Sequence, residues 1–534
     1  MTTIDTVARP RRGRGRRALR TGIAALAIAS LPALAVEVRA ADDTQLADAA
    51  MRRDLTAVQA LLAQGVDVDA PGSDGTPALH WFVRVGDAGA VRLLLDAGAR
   101  ATLATRLGVT PLALASANGD AATMALLLDA GAEVNAVDPA GETPLMVAIR
   151  TGEIAAVRLL LDRGATVDAR DRASQQTPLM IAVRENRPAI VQLLVARGAD
   201  VAARTRAGQE PRWVLPNSVP GFGHGVGIVR GGLPPRGSRA PISGTLSPLL
   251  YAARDGRVDA TRILLEAGAD IEQTDANGIT PLIIAITNNH PDAARLLIGR
   301  GANIHARDWY GRTPLWAAVE TRNMDVDNAS FVNGIDRAPF LDLIRTLLAA
   351  GADPNVRMQE VPPIRRAFLR VTGSLSWVDF TGQTPFLTAA LAGDVTVMRL
   401  LLEHGADPRI PTFGGTTALM AAAGVNWVFD QTYDEGPAAL LEAVRLCYDL
   451  GLDVNAVNSM GLTAVHGAAN RGSDDIIRFL AEKGARLDVK DKEGRTPLTW
   501  AEGVFLATHP SKPKPGAIAL LQQLTGGRAA VGNE

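Results

Sequence analysis

A glycine recurs at a nearly constant interval along the chain, each time directly after a leucine-rich segment. The intervals between Gly65, Gly98, Gly131, Gly164 and Gly198 are 33, 33, 33 and 34 residues. A fixed period of this length predicts a stack of similar units in place of one globular core, because each unit contacts only its neighbours. The same glycine returns later in the chain at Gly268, Gly301, Gly351, Gly405, Gly451 and Gly484.

A second phrase keeps the same period and predicts where a helix begins in each unit. It consists of Thr, Pro and Leu, with Pro at the first helical position, where its missing N–H leaves no hydrogen bond unmade. With the glycine in the left-handed position after the second helix, the pattern predicts two helices and an extended finger rich in Asp, Asn and Gly. Copies of the phrase start at Thr110, Thr143, Thr177, Thr280, Thr313 and Thr496.

These two phrases resemble the ankyrin repeat, whose Thr-Pro-Leu-His motif and period of about 33 residues they match. The resemblance runs from about Thr44 to about Leu524. It implies an all-α repeat solenoid, an ankyrin array of about twelve helix pairs with β-hairpin fingers and a concave, partner-binding surface. His80 and His466 occupy the fourth position of the motif. The resemblance implies that each makes a structural hydrogen bond to the neighbouring turn.

The first forty residues lie outside the repeat and have the layout of a signal peptide. Seven arginines from Arg9 to Arg20 precede an apolar run, Ile23 to Ala35, and small residues before Ala41 offer a cleavage site. We therefore predict a signal peptide at 1–40, an ankyrin repeat domain at 41–534 and a periplasmic or secreted protein of bacterial type.

A Sec-type signal is favoured, and Arg16-Arg17 leaves a twin-arginine signal open. The apolar run is short for a membrane-spanning helix, so we expect no membrane insertion after cleavage. A retained, uncleaved anchor is the alternative.

The net charge depends strongly on the first forty residues. Their removal takes away eight arginines and two carboxylates and changes the formal net charge from −1 to −7. Such a chain lacks an overall basic field, which argues against nucleic acid and anionic membranes as main partners.

Cys447 is the only cysteine, so no internal disulfide can form. It occupies the repeat position of Leu94, which predicts a buried structural thiol.

Four intervals between the period glycines are too long, and they locate insertions near 208–246, 321–338, 357–381 and 424–437. The first and third follow a Gly-Ala-Asp phrase, so they enlarge fingers. The second and fourth fall between the two helices of a unit, at the edge away from the fingers. In repeat proteins, binding residues often lie in insertions that interrupt the repeat. These four insertions are therefore the first candidates for a functional site.

Aromatic residues are enriched in the insertions and also occur between them. Trp309 and Tyr310 lie in a finger of normal length, where other fingers have small polar residues. Because aromatic side chains are common interface anchors, we expect a groove with these two as its exposed floor and the finger insertions as its walls. In the alternative, the loop aromatics only pack the loops onto the stack. The candidate partner-binding residues are Trp309, Tyr310, Trp213, Phe222, Trp377 and Phe380.

Patterns for catalysis or metal binding are weak. His224 lies alone in a glycine-rich segment, without the further ligands that a metal site requires. The carboxylates at Asp325 to Asn328 and at Asp434-Glu435 leave a calcium site as a minor alternative to a solvated acidic loop, because the EF-hand order is missing. No nucleophile elbow or zinc-protease motif occurs. We therefore expect no enzyme activity, no cofactor and no metal.

The favoured function is a protein–protein interaction scaffold that binds another exported or envelope protein through its concave finger surface. A receptor for a small ligand, peptide or glycan, using the aromatic loop residues, is the alternative. A third hypothesis is an enzyme whose active site is formed by the long loops. The partner's identity and the oligomeric state stay open.

Overall fold

A computed structural model describes residues 44–209, 242–323, 337–360, 381–427, 435–504 and 512–531. These residues belong to two compact units, of which the first ends at Pro111 and the second begins at Leu112. The predicted signal peptide, 1–40, lies outside the described residues, so it stays a prediction.

Twenty-four helices in the described ranges form twelve consecutive pairs, the number that the period predicts. We number the pairs as repeats 1 to 12, and finger n is the segment that joins repeat n to the next. The pairs are Gln45–Met51 and Leu55–Ala63, Ala78–Val85 and Ala88–Asp96, Pro111–Asn118 and Ala121–Asp129, Pro144–Thr151 and Ile154–Asp162, Pro178–Arg184 and Pro188–Ala196, Pro248–Arg254 and Val258–Glu266, Pro281–Thr287 and Pro291–Gly299, Pro314–Arg322 and Arg337–Ala349, Pro385–Ala392 and Val395–Glu403, Ala418–Ala423 and Pro437–Asp449, Ala464–Arg471 and Asp474–Glu482, and Pro497–Gly503 and Pro515–Val531.

Regular β-structure is confined to one short ladder in the described part of the chain. Gly208–Gln209 pairs with Ile242–Ser243 in an antiparallel ladder where the insertion leaves finger 5. The remaining described fingers are built from tight turns, so the architecture is the predicted all-α repeat solenoid. No helix within the described ranges has the length and apolar character needed to cross a membrane.

The Thr-Pro phrase begins a helix because both residues suit a helix N-terminus. In repeat 8, Thr313 Oγ1 accepts a hydrogen bond from the Trp316 N–H at 3.3 Å, and Pro314 is the first helical residue. The hydroxyl satisfies an N–H group that the helix itself leaves without a partner. The same cap forms at Thr143, Thr177, Thr280, Thr384 and Thr496.

The period glycine ends the second helix by adopting a left-handed conformation. Gly301, for example, has φ +86°, which a side chain would strain. All eleven period glycines have φ between +75° and +93°. The repeat period is therefore visible in the sequence because this backbone conformation recurs at each finger.

One side chain in almost every second helix is completely buried, four positions before the period glycine. In repeat 3 it is Leu127, whereas Leu126 and Leu128 on either side are half-buried. In the second unit one continuous apolar core reaches from Leu250 to Leu521. The fully buried residues at this position are Leu94, Leu127, Leu160, Leu194, Leu264, Leu297, Leu347, Leu401, Cys447 and Leu480.

Cys447 takes the core position of a leucine, as its place in the repeat predicts. Its side chain is fully buried, and burial raises the pKa of the thiol to about 12. A neutral thiol in such a position packs as a small apolar group. The prediction of a buried structural cysteine is confirmed.

His80 and His466 make the structural hydrogen bonds that the resemblance implies. His80 Nε2 lies 3.1 Å from the carbonyl oxygen of Val109, and His466 Nε2 lies 3.3 Å from that of Arg495. Each ring thus joins its own repeat to the end of the following finger. Burial lowers the pKa of His80 and lowers that of His466 to about 4.

We expect acid to destabilise the second unit through His466. The pKa of this side chain is about 4 in the folded chain and about 6.5 in the unfolded chain, so the unfolded chain binds more protons between these pH values. The stability contributed by the neutral ring is complete above pH 6.5 and is lost as the pH falls toward 4. Urea unfolding followed by circular dichroism should show a larger fall in midpoint for the wild type than for His466→Gln. An identical pH dependence of the two proteins would contradict this assignment.

Candidate functional site

Most successive fingers of the second unit are joined by a backbone hydrogen bond at one repeat position. The N–H of Trp309 in finger 7 donates to the Asn277 carbonyl in finger 6 at 3.1 Å. In finger 8 the N–H of Gln359 donates to the Tyr310 carbonyl at 2.7 Å. Such bonds fix the register of one finger against the next, so the side chains at this position form a row. The same bond is donated by Arg172, Arg206, Phe413, Ser459 and Lys492.

Trp309, Gln359 and Phe413 occupy this position in fingers 7, 8 and 9, and we call them the aromatic strip. Trp309 is 39% exposed and Phe413 is 52% exposed, with the exposed Gln359 between them. The predicted exposure of Trp309 is confirmed. Phe413 is absent from the sequence-based candidates, although alignment of finger 9 with finger 7 assigns it the same repeat position as Trp309.

Trp309 is supported by the backbone of the preceding finger. A Cβ atom built on Gly278 would lie 2.9 Å from Trp309 Cδ1, closer than a side chain tolerates. Gly278 also has φ +71°, so its place in the turn requires glycine for both conformation and space. The indole therefore packs against a rigid turn while part of its surface faces solvent.

Phe413 is supported by an arginine from the finger before it. The Arg357 guanidinium carbon lies 4.2 Å from the centre of the Phe413 ring. Arg357 Nη2 donates to the Pro411 carbonyl at 2.7 Å, and its Nε donates to the Gly382 carbonyl at 3.3 Å. These bonds hold the cation over the ring. They also close the stem from which the insertion of finger 8 departs.

Tyr310 is buried, and the expectation that it is exposed beside Trp309 is wrong. Its side chain is only 3% exposed. Asp308 Oδ1 accepts the N–H of Tyr310 at 3.0 Å and that of Arg312 at 2.9 Å, and the resulting tight turn directs Tyr310 inward while Trp309 stays at the surface. Burial raises the pKa of the Tyr310 phenol to about 12, and its hydroxyl has no hydrogen-bond partner in the described part of the chain.

The other four sequence-based candidates, Trp213, Phe222, Trp377 and Phe380, lie outside the described residues. The walls of the expected groove therefore stay a prediction. His224 and the acidic residues from Asp325 to Asn328 lie outside them as well.

A cluster of buried charges lies at the opposite edge, where the two insertions between helices begin and end. Arg322 Nε and Arg337 Nη2 donate to the same Asp394 oxygen at 2.8 Å and 3.2 Å. Arg337 also forms an ion pair with Glu435, one of the carboxylates considered for calcium. Asp394 is 2% exposed, and two cations compensate its charge, so this cluster joins repeats 8, 9 and 10. The described residues contain no group of three or more side chains suited to hold a metal ion.

Family models of ankyrin repeats match most of the described chain. The model for three ankyrin repeat copies matches residues 46–138, 117–205, 249–358 and 438–503. A model for a single ankyrin repeat matches residues 381–410. Together the matched segments cover more than half of the chain.

Curated relatives match shorter parts. The chain is 33% identical to the human B-cell lymphoma 3 protein over 120 residues. The matched segment covers 22% of this chain and 24% of that protein. The homologue of that protein in Mus musculus is 32% identical over 120 residues, covering 22% of this chain and 25% of that protein. A palmitoyltransferase, AKR1 of Lachancea kluyveri, is 29% identical over 179 residues, covering 33% of this chain and 20% of that enzyme. The chain thus spans about a quarter or less of these relatives.

Solved structures with ankyrin repeats are similar to this chain. The ankyrin repeat domain of Bcl-3 is 28% identical, with a TM-score of 0.38, and the match covers 48% of this chain and 98% of that one. The ankyrin repeat domain of human ASB11 is 23% identical, with a TM-score of 0.35. That match covers 49% of this chain and 96% of the ASB11 chain.

Substitutions at the two neighbouring aromatics should affect stability differently. Tyr310→Ala removes a buried ring and should lower the unfolding free energy by about 3 kcal/mol. Trp309→Ala truncates a partly exposed ring and should cost less than about 1 kcal/mol. Tyr310→Phe deletes only a hydroxyl without a partner, so stability should stay unchanged or rise slightly. Urea unfolding of the three variants measures these effects. A cost for Tyr310→Ala as small as that for Trp309→Ala would contradict the burial of Tyr310.

Proposed function

The chain belongs to the ankyrin repeat family, whose repeats generally mediate protein–protein interactions, and we propose that it is a non-catalytic scaffold that binds a partner protein along its finger edge. The main support is the aromatic strip. Trp309 and Phe413 are exposed rings at the same repeat position, on either side of the finger 8 stem. Rings held in this way lose little conformational freedom when a partner covers them, which favours their use as anchors.

The distribution of exposed apolar side chains also supports the finger edge. Isolated exposed aliphatic residues are normal at a protein surface, and Val137 and Val457 in fingers 3 and 10 are of this kind. Trp309 and Phe413 differ because they are large rings and are separated by a single finger. A partner in contact with both must also contact Gln359 and the stem of the finger 8 insertion. This part of the finger edge is therefore the proposed centre of the interface.

The non-catalytic part of the proposal is supported by the family, which typically has no catalytic activity, and by where the displaced pKa values occur. In the second unit the displaced pKa values of Cys447 and His466 belong to different repeats, and those of Asp275 and Tyr310 belong to neighbouring fingers, where the Asp275 carboxylate contributes to the raised pKa of Tyr310. His466 and Asp275 serve hydrogen bonds within the stack. An active site requires several such groups to converge in one cleft.

The compartment in this proposal rests on the first forty residues alone. Their arginine-rich start, apolar run and small residues before Ala41 have the layout of an export signal. We therefore propose that the partner is another exported or envelope protein.

The aromatic strip can be tested by capture with a matched control. The variant is Trp309→Ala/Phe413→Ala, and the control is Val457→Ala, which also truncates an exposed apolar side chain but lies in finger 10, outside the strip. Each protein, from Ala41 to Glu534, is immobilised and incubated with envelope extract. We expect a protein retained by the wild type and the control to be reduced by about tenfold or more with the double variant, because two anchors are removed.

Thermal unfolding followed by circular dichroism should give the same midpoint for the control and the double variant within about 2 °C, since both change only surface residues. Unchanged capture by the double variant, or an equal loss with Val457→Ala, would contradict a role for the strip.

A further inference from the structure

We propose that the finger edge of the second unit binds an acidic, extended segment of its partner protein through a row of arginines next to the aromatic strip. This inference rests on the proposed function and adds the chemistry of the partner to it.

Six arginines lie at the tips of fingers 4, 5, 7 and 8. They occupy two repeat positions, that of Trp309 and the one two residues before it. Five are exposed, and Arg357 is half-buried. We call these residues the arginine row: Arg170, Arg172, Arg204, Arg206, Arg307 and Arg357.

No member of the arginine row forms an ion pair with a carboxylate in the described part of the chain. Several donate to uncharged backbone carbonyls of the next finger. Arg170 Nη1 lies 2.9 Å from the Arg204 carbonyl oxygen, and Arg204 Nη1 lies 2.8 Å from that of Thr274. Arg357 makes the equivalent bond to Pro411 at 2.7 Å. These bonds fix the side chains while their positive charge stays uncompensated.

Two carboxylates at these finger tips are buried and engaged within their own turns, and Glu360, directly after Gln359, is half-buried. Asp171 is 7% exposed and accepts the Gln175 N–H at 2.9 Å. Asp308 is buried and forms an ion pair with Arg312 at 2.7 Å. Asp200 lies at the base of finger 5, four residues before Arg204. The finger tips therefore carry positive charge in a chain whose net charge beyond residue 40 is −7.

Several arginines outside the arginine row, in contrast, are neutralised by carboxylates. Arg163 and Arg197 each form an ion pair at 2.8 Å with an aspartate that ends the second helix of the preceding repeat. Arg262 and Arg345 pair at 3.1 Å with an aspartate of their own helix. Arg158 and Arg478 on the second helices are also exposed without an ion pair in the described residues, but the arginine row brings six arginines without an ion pair to the finger edge, where their charge attracts an acidic partner over several ångströms.

The spacing of these groups favours a polypeptide over a nucleic acid. Fingers 4, 5, 7 and 8 each offer one or two arginines of the row, and Trp309 and Phe413 lie in fingers 7 and 9. An extended peptide that alternates carboxylates with apolar side chains would satisfy both, since a guanidinium binds a carboxylate with two parallel hydrogen bonds. A nucleic acid strand carries a charge about every 3.4 Å and would be repelled by the acidic remainder of the chain.

The test uses defined probes and two matched charge-reversal variants of the chain from Ala41 to Glu534. The first probe is a fluorescent peptide in which every second residue is glutamate and the residues between are valine and serine. The second is the same peptide with glutamine in place of glutamate, and the third is a single-stranded oligonucleotide with the same charge as the glutamate peptide. The variant is Arg206→Glu/Arg307→Glu, whose side chains make no hydrogen bond within the described residues. The control is Arg262→Glu/Arg345→Glu, which changes the net charge equally on the second helices.

We expect the glutamate peptide to bind about tenfold more tightly than the glutamine peptide, with an affinity that falls as salt rises. The finger-edge reversal should weaken binding about tenfold, and the control reversal less than about twofold. Thermal unfolding verifies that both variants are folded. No binding of the glutamate peptide, an equal loss in both variants, or tighter binding of the oligonucleotide would overturn the inference.

These outcomes are separable from those of the aromatic strip. If the peptide fails to bind but Trp309→Ala/Phe413→Ala still releases the captured protein, the acidic segment is wrong and the scaffold proposal holds. If the peptide behaves as expected and the aromatic variant captures normally, the aromatic strip is not the anchor.

Discussion

Fingers 6 to 9 are attached to one another by a backbone hydrogen bond at one repeat position, and the candidate site depends on it. The bonds from Trp309 to Asn277, from Gln359 to Tyr310 and from Phe413 to Thr381 place one surface residue per finger in a row. The bond forms because the helices below are fixed by fully buried leucines, so that each finger starts from the same place. Rings on separate, unregistered loops would have to be ordered by the partner, at a cost in affinity.

The arginines of the Asp394 cluster and those of the arginine row differ in whether carboxylates neutralise them. At the edge between helices, Asp394 is buried between Arg322 and Arg337, and Arg337 also pairs with Glu435, so each charge of this cluster has a partner and the cluster joins three repeats. At the finger edge, arginines such as Arg204 are fixed by carbonyl groups, which orient the guanidinium without neutralising it. The Asp394 cluster therefore stabilises the stack between repeats 8, 9 and 10, whereas the arginine row has no carboxylate partner within the described residues.

The sequence predicts the features that repeat and misses those that join distant or inward-facing residues. The glycine period predicts twelve helix pairs and the burial of Cys447, because both follow from a local pattern. The burial of Tyr310 depends on a turn that Asp308 organises, which residue type alone does not reveal. Arg322 and Asp394 are 72 residues apart, so no spacing indicates their contact. The net charge of the whole chain does not indicate the arginine row, because carboxylates elsewhere in the chain offset the positive charge of these six arginines.

The most direct test of the finger edge as the binding surface is site-specific photocrosslinking. The photoreactive amino acid p-benzoylphenylalanine replaces Gln359, between Trp309 and Phe413, in one protein and the exposed Arg345, on a second helix, in another. We predict that illumination in envelope extract crosslinks one protein to position 359 and leaves position 345 without that product. The same product at both positions, or a product at position 345 alone, would contradict binding through the fingers.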